Sequence, residues 1–120
     1  MIAYLSGPIE NAANDGADWR ELITPWLKDE IEHNVFNPVV ATRKIISNLT
    51  NSQFREMKET SPKKYKNLIR QIIDIDIKAV VEESDYLIVN WNKSVFKGGG
   101  THGEITLAYY LKKPIYLVNH

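Results

Sequence analysis

The sequence predicts an α/β fold in which a mostly parallel sheet is covered by helices on both faces. Short apolar segments alternate with segments of helical period along the 120 residues, and helical crossovers are what usually join parallel strands. A composition of 43% hydrophobic and 25% charged residues is typical of a globular protein with a packed core. At this length, and without internal repeats, we expect a single domain that spans residues 1–120.

The first forty residues supply two predicted strands with one helix between them. Ile2–Ser6 is a short apolar run closed by Gly7 and Pro8, as expected for a buried strand followed by a turn. Residues 15–32 show a helical period, and residues 35–38 form a second strand that ends at a proline. This order predicts the start of a parallel sheet.

The helix predicted over residues 15–32 carries its apolar residues on one face, and both of its tryptophans are interpreted as core. The residues of this face are Trp19, Leu22, Ile23, Trp26 and Leu27. Pro25 lacks the backbone N–H that a helix interior needs, so we expect a kink there or a restart capped by Thr24.

The remainder of the chain continues the alternation after a polar segment. Residues 41–61 are weakly patterned, with a possible short helix over 53–59, and are expected to form a lid or a long connection. Ser61 and Pro62 resemble an N-cap and a first helical residue, which predicts a helix to about residue 83. The last elements follow as a strand over 85–90, a helix over 101–112 and a strand over 115–118.

The composition excludes several classes of protein. Fifteen basic and fifteen acidic residues give a formal net charge of zero, whereas nucleic-acid binders need a surplus of Lys and Arg. The absence of cysteine excludes a disulfide scaffold and a thiolate metal site, and the three histidines lack metal-ligand spacing. No apolar run approaches the roughly 20 residues of a membrane span, and the first residues lack the basic start of a signal peptide. We therefore expect a cytoplasmic protein with no metal, cofactor, nucleic-acid or membrane partner.

Two carboxylates fall on helix faces where apolar residues are expected. Asp76 projects near the middle of the apolar stripe of the long helix, whereas Asp74 points to the opposite side. Glu104 is in line with Leu107, Ala108 and Leu111 of the last helix. Carboxylates facing a sheet are costly unless partnered, and they are common at functional sites. Two structural alternatives remain: a capping box that pairs Thr101 with Glu104, and an ion pair of Asp76.

The carboxyl ends of the predicted strands are the expected position of a ligand. A glycine run follows the third strand, and residues 98–103 match the dinucleotide pattern G-x-G-x-x-G. No Asp or Glu follows Glu104 to hold a ribose, so we interpret the run as a loop that brings backbone amides near a small ligand. The expected substrate-binding residues are Ser6, Gly7, Pro8, Asn92, Gly100 and Thr101.

Several short motifs occur in a fixed order along nearly the whole chain, residues 41–61 excepted. They are Tyr4-Leu5-Ser6-Gly7-Pro8, Asp18-Trp19-Arg20, Asn37-Pro38, Asp76, Ser84-Asp85, Gly100-Thr101-His102-Gly103-Glu104, Ala108 and Lys113-Pro114. This ordered set resembles the nucleoside 2-deoxyribosyltransferase family, including related deoxynucleotide N-hydrolases. The interval from Asp76 to Asp85 is one residue longer than the spacing expected in that family.

The resemblance implies a flavodoxin-like or Rossmann-like fold and cleavage of the N-glycosidic bond of 2′-deoxynucleosides. It implies that Glu104 is the nucleophile, that Tyr4 orients it, and that Asp76 assists at the base. It also implies a small-molecule nucleoside or nucleotide substrate and a homodimer or larger homo-oligomer, whose sites are completed by a neighbouring subunit.

Three functions follow as hypotheses. The first is transfer of the deoxyribosyl group through a covalent glutamyl intermediate. The second is hydrolysis of deoxynucleoside 5′-monophosphates, with release of the free base. Residues 86–103 contain no carboxylic acid, and Asn92 can hydrogen-bond a base but cannot donate a proton as an acid does, so we expect measurable hydrolysis when no acceptor base is present, while transfer stays the leading hypothesis. The third is a non-catalytic nucleotide-binding domain on the same fold.

Overall fold

A four-stranded parallel sheet organises the molecule. The computed structural model describes residues 1–9, 16–47, 49–92 and 100–118. Its strands are β1 (Ile2–Ser6), β2 (Asn34–Phe36), β3 (Tyr86–Asn90) and β4 (Ile115–Val118), in the order β2-β1-β3-β4 with all pairs parallel. Its helices are α1 (Ala17–Glu30), α2 (Pro38–Ile46), α3 (Asn51–Thr60), α4 (Pro62–Lys78) and α5 (Gly100–Tyr110), with a π-helical turn at Ala79–Glu83.

Helices cover both faces of this sheet, because alternate residues of each strand point to opposite sides. On one face α1 packs on the sheet in a cluster of Ala3, Leu5, Trp19, Leu27, Tyr86 and Ile88. On the other face the π turn and α5 pack in a cluster of Tyr4, Ala79, Val80, Leu87, Val89 and Ala108. The predicted α/β class, a parallel sheet covered on both faces as in flavodoxin-like and Rossmann-like folds, is confirmed.

The segment predicted as a lid or long connection is helical. Residues 38–46 form α2, which begins where the Asn37 side chain accepts a hydrogen bond from the Val39 N–H at 3.0 Å. The short helix expected over 53–59 is α3, whose capping box pairs Thr50 with Gln53. Ile46, Phe54 and Ile72 join α2, α3 and α4 in a third apolar cluster, which explains why this polar segment is ordered.

Helix α1 differs from its prediction at two points. It is continuous through Pro25, and the Thr24 hydroxyl donates to the Arg20 carbonyl at 2.6 Å, so Thr24 is not a cap. Trp19 is buried as predicted, but Trp26 is 54% exposed and lies outside the core. The buried contacts come from the narrower stripe of Trp19, Ile23 and Leu27, at intervals of four residues.

The long helix predicted after Ser61 is α4, continued by the π turn to residue 83. Ser61 is its N-cap residue but makes no side-chain capping hydrogen bond. The apolar stripe is narrower than expected, since Ile73 and Ile75 are 48% and 41% exposed. The contrast between the two aspartates is confirmed, because Asp74 is exposed and Asp76 is partly buried.

The π turn is held by a side chain from the other end of the chain. The Ser84 N–H donates to the Ala79 carbonyl at 2.8 Å, a bond between residues five apart. The Lys113 ammonium donates to the carbonyls of Val80, Val81 and Ser84 at 2.6–2.8 Å. Carbonyls at a helix end lack intrahelical partners, and Lys113 supplies three donors to them.

None of the helices in the described ranges has both the length and the apolar composition that crossing a membrane would require.

Candidate active site

The site lies where β1 and β3 are neighbours. The chain leaves β1 toward β2 on one side and leaves β3 toward β4 on the other, so this is the switch point at which parallel sheets bind ligands. Ser6 pairs with Val89 at the carboxyl edge. Helix α5 begins at this edge and places Glu104 in its second turn.

Glu104 accepts hydrogen bonds from two hydroxyl groups of β1. The Tyr4 hydroxyl donates to Oε2, and the Ser6 hydroxyl donates to Oε1 at 2.7 Å. Tyr4 and Ser6 are two residues apart on one strand and therefore project to the same face of the sheet. Both oxygens of the carboxylate are thus held in a fixed orientation by the strand beneath it.

The capping-box alternative does not describe this carboxylate. Thr101 lies inside α5, which begins at Gly100, and the Glu104 oxygens bond to β1 side chains. Burial raises the pKa of Glu104, while the bonds from Tyr4 and Ser6 and the charge of Arg20 lower it. The net direction is upward, so the site gives Glu104 less preference for the ionised form than water does.

Tyr4 is fully buried and its ring stacks on Phe36, with ring centroids 5.2 Å apart. Burial and the neighbouring carboxylates of Glu104 and Asp76 raise the pKa of Tyr4 above its usual value. The phenol therefore stays protonated at neutral pH and acts as a donor to Glu104.

Asp76 is the second carboxylate of the site. Burial and the nearby Glu104 raise its pKa to about 7, although the positive charge of Arg20 opposes the shift. Its Oδ1 atom is buried and has no hydrogen-bond partner among the residues that the structure describes. An aspartate in this environment exchanges a proton near neutral pH, which is the requirement for a general acid.

A π turn lies between Asp76 and Asp85. It spans Ala79–Glu83 and contains one more residue than an α turn does. Asp76 is partly buried on α4. Asp85 precedes β3 and accepts a hydrogen bond from the Ile2 N–H at 2.7 Å.

The remaining predicted binding residues occupy different environments. Gly7 and Pro8 are buried, and a Cβ at Gly7 would be 3.2–3.3 Å from Trp19 and Asn90, so a side chain there would require these neighbours to shift by a few tenths of an ångström. Gly100 is exposed, and a Cβ there would meet no atom within 4 Å. Ser6, in contrast, donates a hydrogen bond to Glu104, a predicted catalytic residue.

Thr101 is buried in the first turn of α5, three residues before Glu104, and Asn92 is partly buried just beyond β3. Among the described residues, Thr101 makes no hydrogen bond to Tyr4, Asp76 or Glu104. Gly98, the first glycine of the predicted run, lies outside the described residues.

Sequence reasoning missed two buried polar residues beside the site. Arg20 is fully buried, and its charge acts on Tyr4, Asp76 and Glu104. Asn90 is 4% exposed, and its Oδ1 has no hydrogen-bond partner. The available signal for Arg20 was the Asp18-Trp19-Arg20 motif, which places a charge next to a core tryptophan.

The described residues contain no group of three or more His, Asp or Glu side chains arranged to hold a metal ion. His33 instead forms a hydrogen bond of 2.6 Å with the Tyr86 hydroxyl, and His102 lies edge-on to Trp91 on the exposed side of α5. The polar groups described at the site are the carboxylates of Glu104 and Asp76, the hydroxyls of Tyr4 and Ser6 and the guanidinium of Arg20.

Comparisons with known proteins return no match: no protein-family model, no curated protein and no solved structure matches this chain. The parallel α/β sheet and the groups gathered at its switch point are therefore what indicates its chemistry.

Proposed function

We propose that this protein is a nucleoside 2-deoxyribosyltransferase-like enzyme, which cleaves the N-glycosidic bond of 2′-deoxynucleosides or deoxynucleotides and transfers the deoxyribosyl group. The observation that carries the proposal is the pairing of Glu104, held at both oxygens by Tyr4 and Ser6, with Asp76, whose pKa is about 7. The order of motifs that resemble that family supports the same activity.

In the first step, Glu104 attacks C1′ of the sugar as the bond between C1′ and the base nitrogen breaks. The transition state has oxocarbenium character, which a carboxylate stabilises. Asp76 in its protonated form gives its proton to the departing base, so the base leaves as a neutral molecule. The products are the free base and a deoxyribosyl ester of Glu104.

In the second step, an acceptor attacks C1′ and the ester bond to Glu104 breaks. The ionised Asp76 takes the proton that the acceptor loses, which restores both carboxyl groups to their starting states. Two displacements at C1′ give net retention of configuration. A second base as acceptor yields a new nucleoside, and water yields free deoxyribose or its 5′-phosphate.

Hydrolysis is the second candidate function, as in a deoxynucleoside 5′-monophosphate N-hydrolase. Residues 86–103 contain no Asp or Glu that could exchange a proton with an incoming base. Base exchange requires a second base that is bound and oriented near C1′, whereas hydrolysis requires only a water molecule there, and either acceptor loses its proton to Asp76. We therefore expect measurable hydrolysis when no acceptor base is present.

The test is to incubate the protein with deoxynucleosides and with their 5′-monophosphates, with and without an excess of a second free base. Chromatography then quantifies the free base, the new nucleoside and the free sugar. Base release from either substrate supports the glycosidic activity. Efficient exchange with negligible free sugar would contradict the expected hydrolysis, and no release from any substrate would indicate a nucleotide-binding domain without catalysis.

The proposal includes a homodimer or larger homo-oligomer. Apolar side chains are exposed on α5 and β4, where Tyr109 and Tyr110 are about 80% exposed and Leu117 is 64% exposed. Sedimentation of the active protein tests this part, and a monomer with full activity would contradict it. A cytoplasmic location is also proposed, since a chain without cysteine has no disulfide framework for an oxidising compartment.

A further inference from the structure

Arg20 is a fully buried charge whose hydrogen bonds, among the described residues, go to backbone carbonyls, and its guanidinium lies over the Trp19 ring at 4.9 Å from the centroid. Its Nε donates to the Leu5 carbonyl at 3.1 Å, its Nη2 to the Gly7 carbonyl at 3.0 Å and its Nη1 to the Gly16 carbonyl at 2.7 Å. Burying a guanidinium is costly, and carbonyl oxygens satisfy its donors without neutralising its charge. A purely structural role would not require a full charge at this position.

Two of the three carbonyls that Arg20 binds belong to the residues on either side of Ser6. Leu5 and Gly7 flank the residue whose hydroxyl donates to Oε1 of Glu104 at 2.7 Å. The planar fork of the guanidinium fixes the two carbonyls relative to each other, and with them the backbone of Ser6. The orientation of the Ser6 hydroxyl, and of the carboxylate it holds, therefore depends on Arg20.

The absence of a side chain at Gly16 leaves room for the Arg20 guanidinium. Gly16 has a φ angle of +74°, and a Cβ at that position would be 2.5 Å from Nη1 of Arg20 and 2.3 Å from the Pro8 carbonyl. A residue with a side chain at position 16 would displace the Arg20 guanidinium or the Pro8 carbonyl. Gly16 thus couples the start of α1 to the carboxyl edge of β1.

The ionisable groups that act on Glu104 among the described residues come from three elements. They are Tyr4 on β1, Asp76 on α4 and Arg20 on α1. His102 on α5 itself is directed to Trp91. Arg20 is the cation of this set, and because burial lowers its pKa only to about 10, it is charged at neutral pH.

We propose that Arg20 is a positioning residue of the site, which fixes Glu104 through Ser6 and places a positive charge that favours the ionised form of Glu104. This inference rests on the proposed glycosidic activity. It adds that the buried arginine of α1 sets the geometry of the proposed nucleophile and contributes to its charge balance.

The test compares Arg20→Lys, which keeps the charge but not the planar fork, with Arg20→Gln, which removes the charge. Both are expected to lower kcat about tenfold or more per folded molecule, with KM changed less than about threefold. Arg20→Gln alone should move the acidic limb of the pH profile to higher pH, because loss of a neighbouring cation raises the pKa of a carboxylate.

A double substitution tests whether Arg20 acts through Ser6. If it does, Arg20→Lys combined with Ser6→Ala loses little more activity than either change alone. Lys113→Met is the matched control, since Lys113 also donates to three carbonyls but at the opposite edge of the sheet. That control should lower stability while kcat per folded molecule is retained.

Wild-type kcat in Arg20→Lys, or failure of both Arg20 variants to fold, would assign Arg20 to the scaffold alone and overturn the proposal. A carboxyl NMR titration separates this outcome from failure of the proposed function. A higher pKa of Glu104 in Arg20→Gln than in the wild type supports the charge effect even if no substrate is cleaved. Equal titration curves in a folded Arg20→Gln protein would contradict it.

Discussion

The Tyr4 hydroxyl donates a hydrogen bond to Glu104 across a separation of one hundred residues in the chain. Tyr4 lies on the first strand and Glu104 on the last helix, so this contact exists only when the sheet is assembled around β1 and β3. The geometry of the proposed nucleophile is therefore a property of the complete fold.

Tyr4→Phe removes this donor and leaves Oε2 of Glu104 without a partner. A hydrogen bond to a charged group contributes about 1.5–3 kcal/mol, so we expect kcat to fall roughly ten- to hundredfold. The acidic limb of the pH profile should move to higher pH, because the lost bond favours the ionised carboxylate. Rate measurements between pH 5 and 9 check both effects, and an unchanged profile would argue against the role of Tyr4.

Glu104→Gln keeps the volume of the side chain but removes the nucleophile. Base release should fall by about three orders of magnitude or more, while the melting temperature changes little. A capping role predicts a different result, with both stability and most activity retained, because a capping box accepts Gln as well as Glu. Turnover and thermal unfolding of one purified variant distinguish the two.

Asp76→Asn keeps the shape of the side chain but cannot deliver the same proton. Turnover should fall roughly 10²- to 10⁴-fold, and Asp74→Asn is the control because Asp74 is exposed two residues away. Wild-type turnover should decline as the pH rises above about 7, where Asp76 loses its proton. Equal losses in the two variants would exclude Asp76 from the site.

Asp76 also predicts how stability depends on pH. Its pKa is about 7 in the folded protein and about 3.9 in the unfolded chain, so the folded state binds more protons between these values. The free energy of unfolding therefore falls as the pH rises from about 4 to about 7, because the folded state has to give up the proton of Asp76. Asp76→Asn lacks this term and should raise the melting temperature at pH 8 more than at pH 5, as calorimetry at the two pH values can show.

Lys113→Met removes the ammonium that bonds to Val80, Val81 and Ser84. Leaving partly buried carbonyls without donors should reduce the free energy of unfolding by about 1–3 kcal/mol. Lys112→Met is the matched control, since Lys112 is exposed, and should change it by less than about 0.5 kcal/mol. Urea unfolding of both variants provides the comparison.

The strands and the order of elements were predictable because buried parallel strands are continuous apolar runs with clear boundaries. Helix α2 was not, since Val39, Val40 and Thr42 are β-branched residues with weak helix preference. Its helical state comes from the Asn37 cap and from packing of Ile46 against Phe54 and Ile72, which sequence periodicity does not reveal.

The two carboxylates of the site were predictable because each breaks an apolar stripe. Arg20 was not, because an arginine beside an apolar face is normally expected to extend into solvent. Its burial depends on carbonyls of β1 and on Gly16, contacts that form only when α1 packs on the sheet. Trp26 was predicted to be buried because the helical projection places it on the same face as Trp19 and Leu27. The face of α1 that contacts the sheet is narrower than that projection, and Trp26 lies outside it.

Because the turn between α4 and β3 is π-helical, we expect this part of the chain to accept the deletion of one residue. Removing one residue from Ala79–Glu83 would convert the turn to α geometry, while the elements before and after it could keep their places. Searches that require a fixed number of residues between the α4 aspartate and the third strand would consequently overlook homologues with the same pair of carboxylates. A variable gap at this position is the more suitable pattern for finding them.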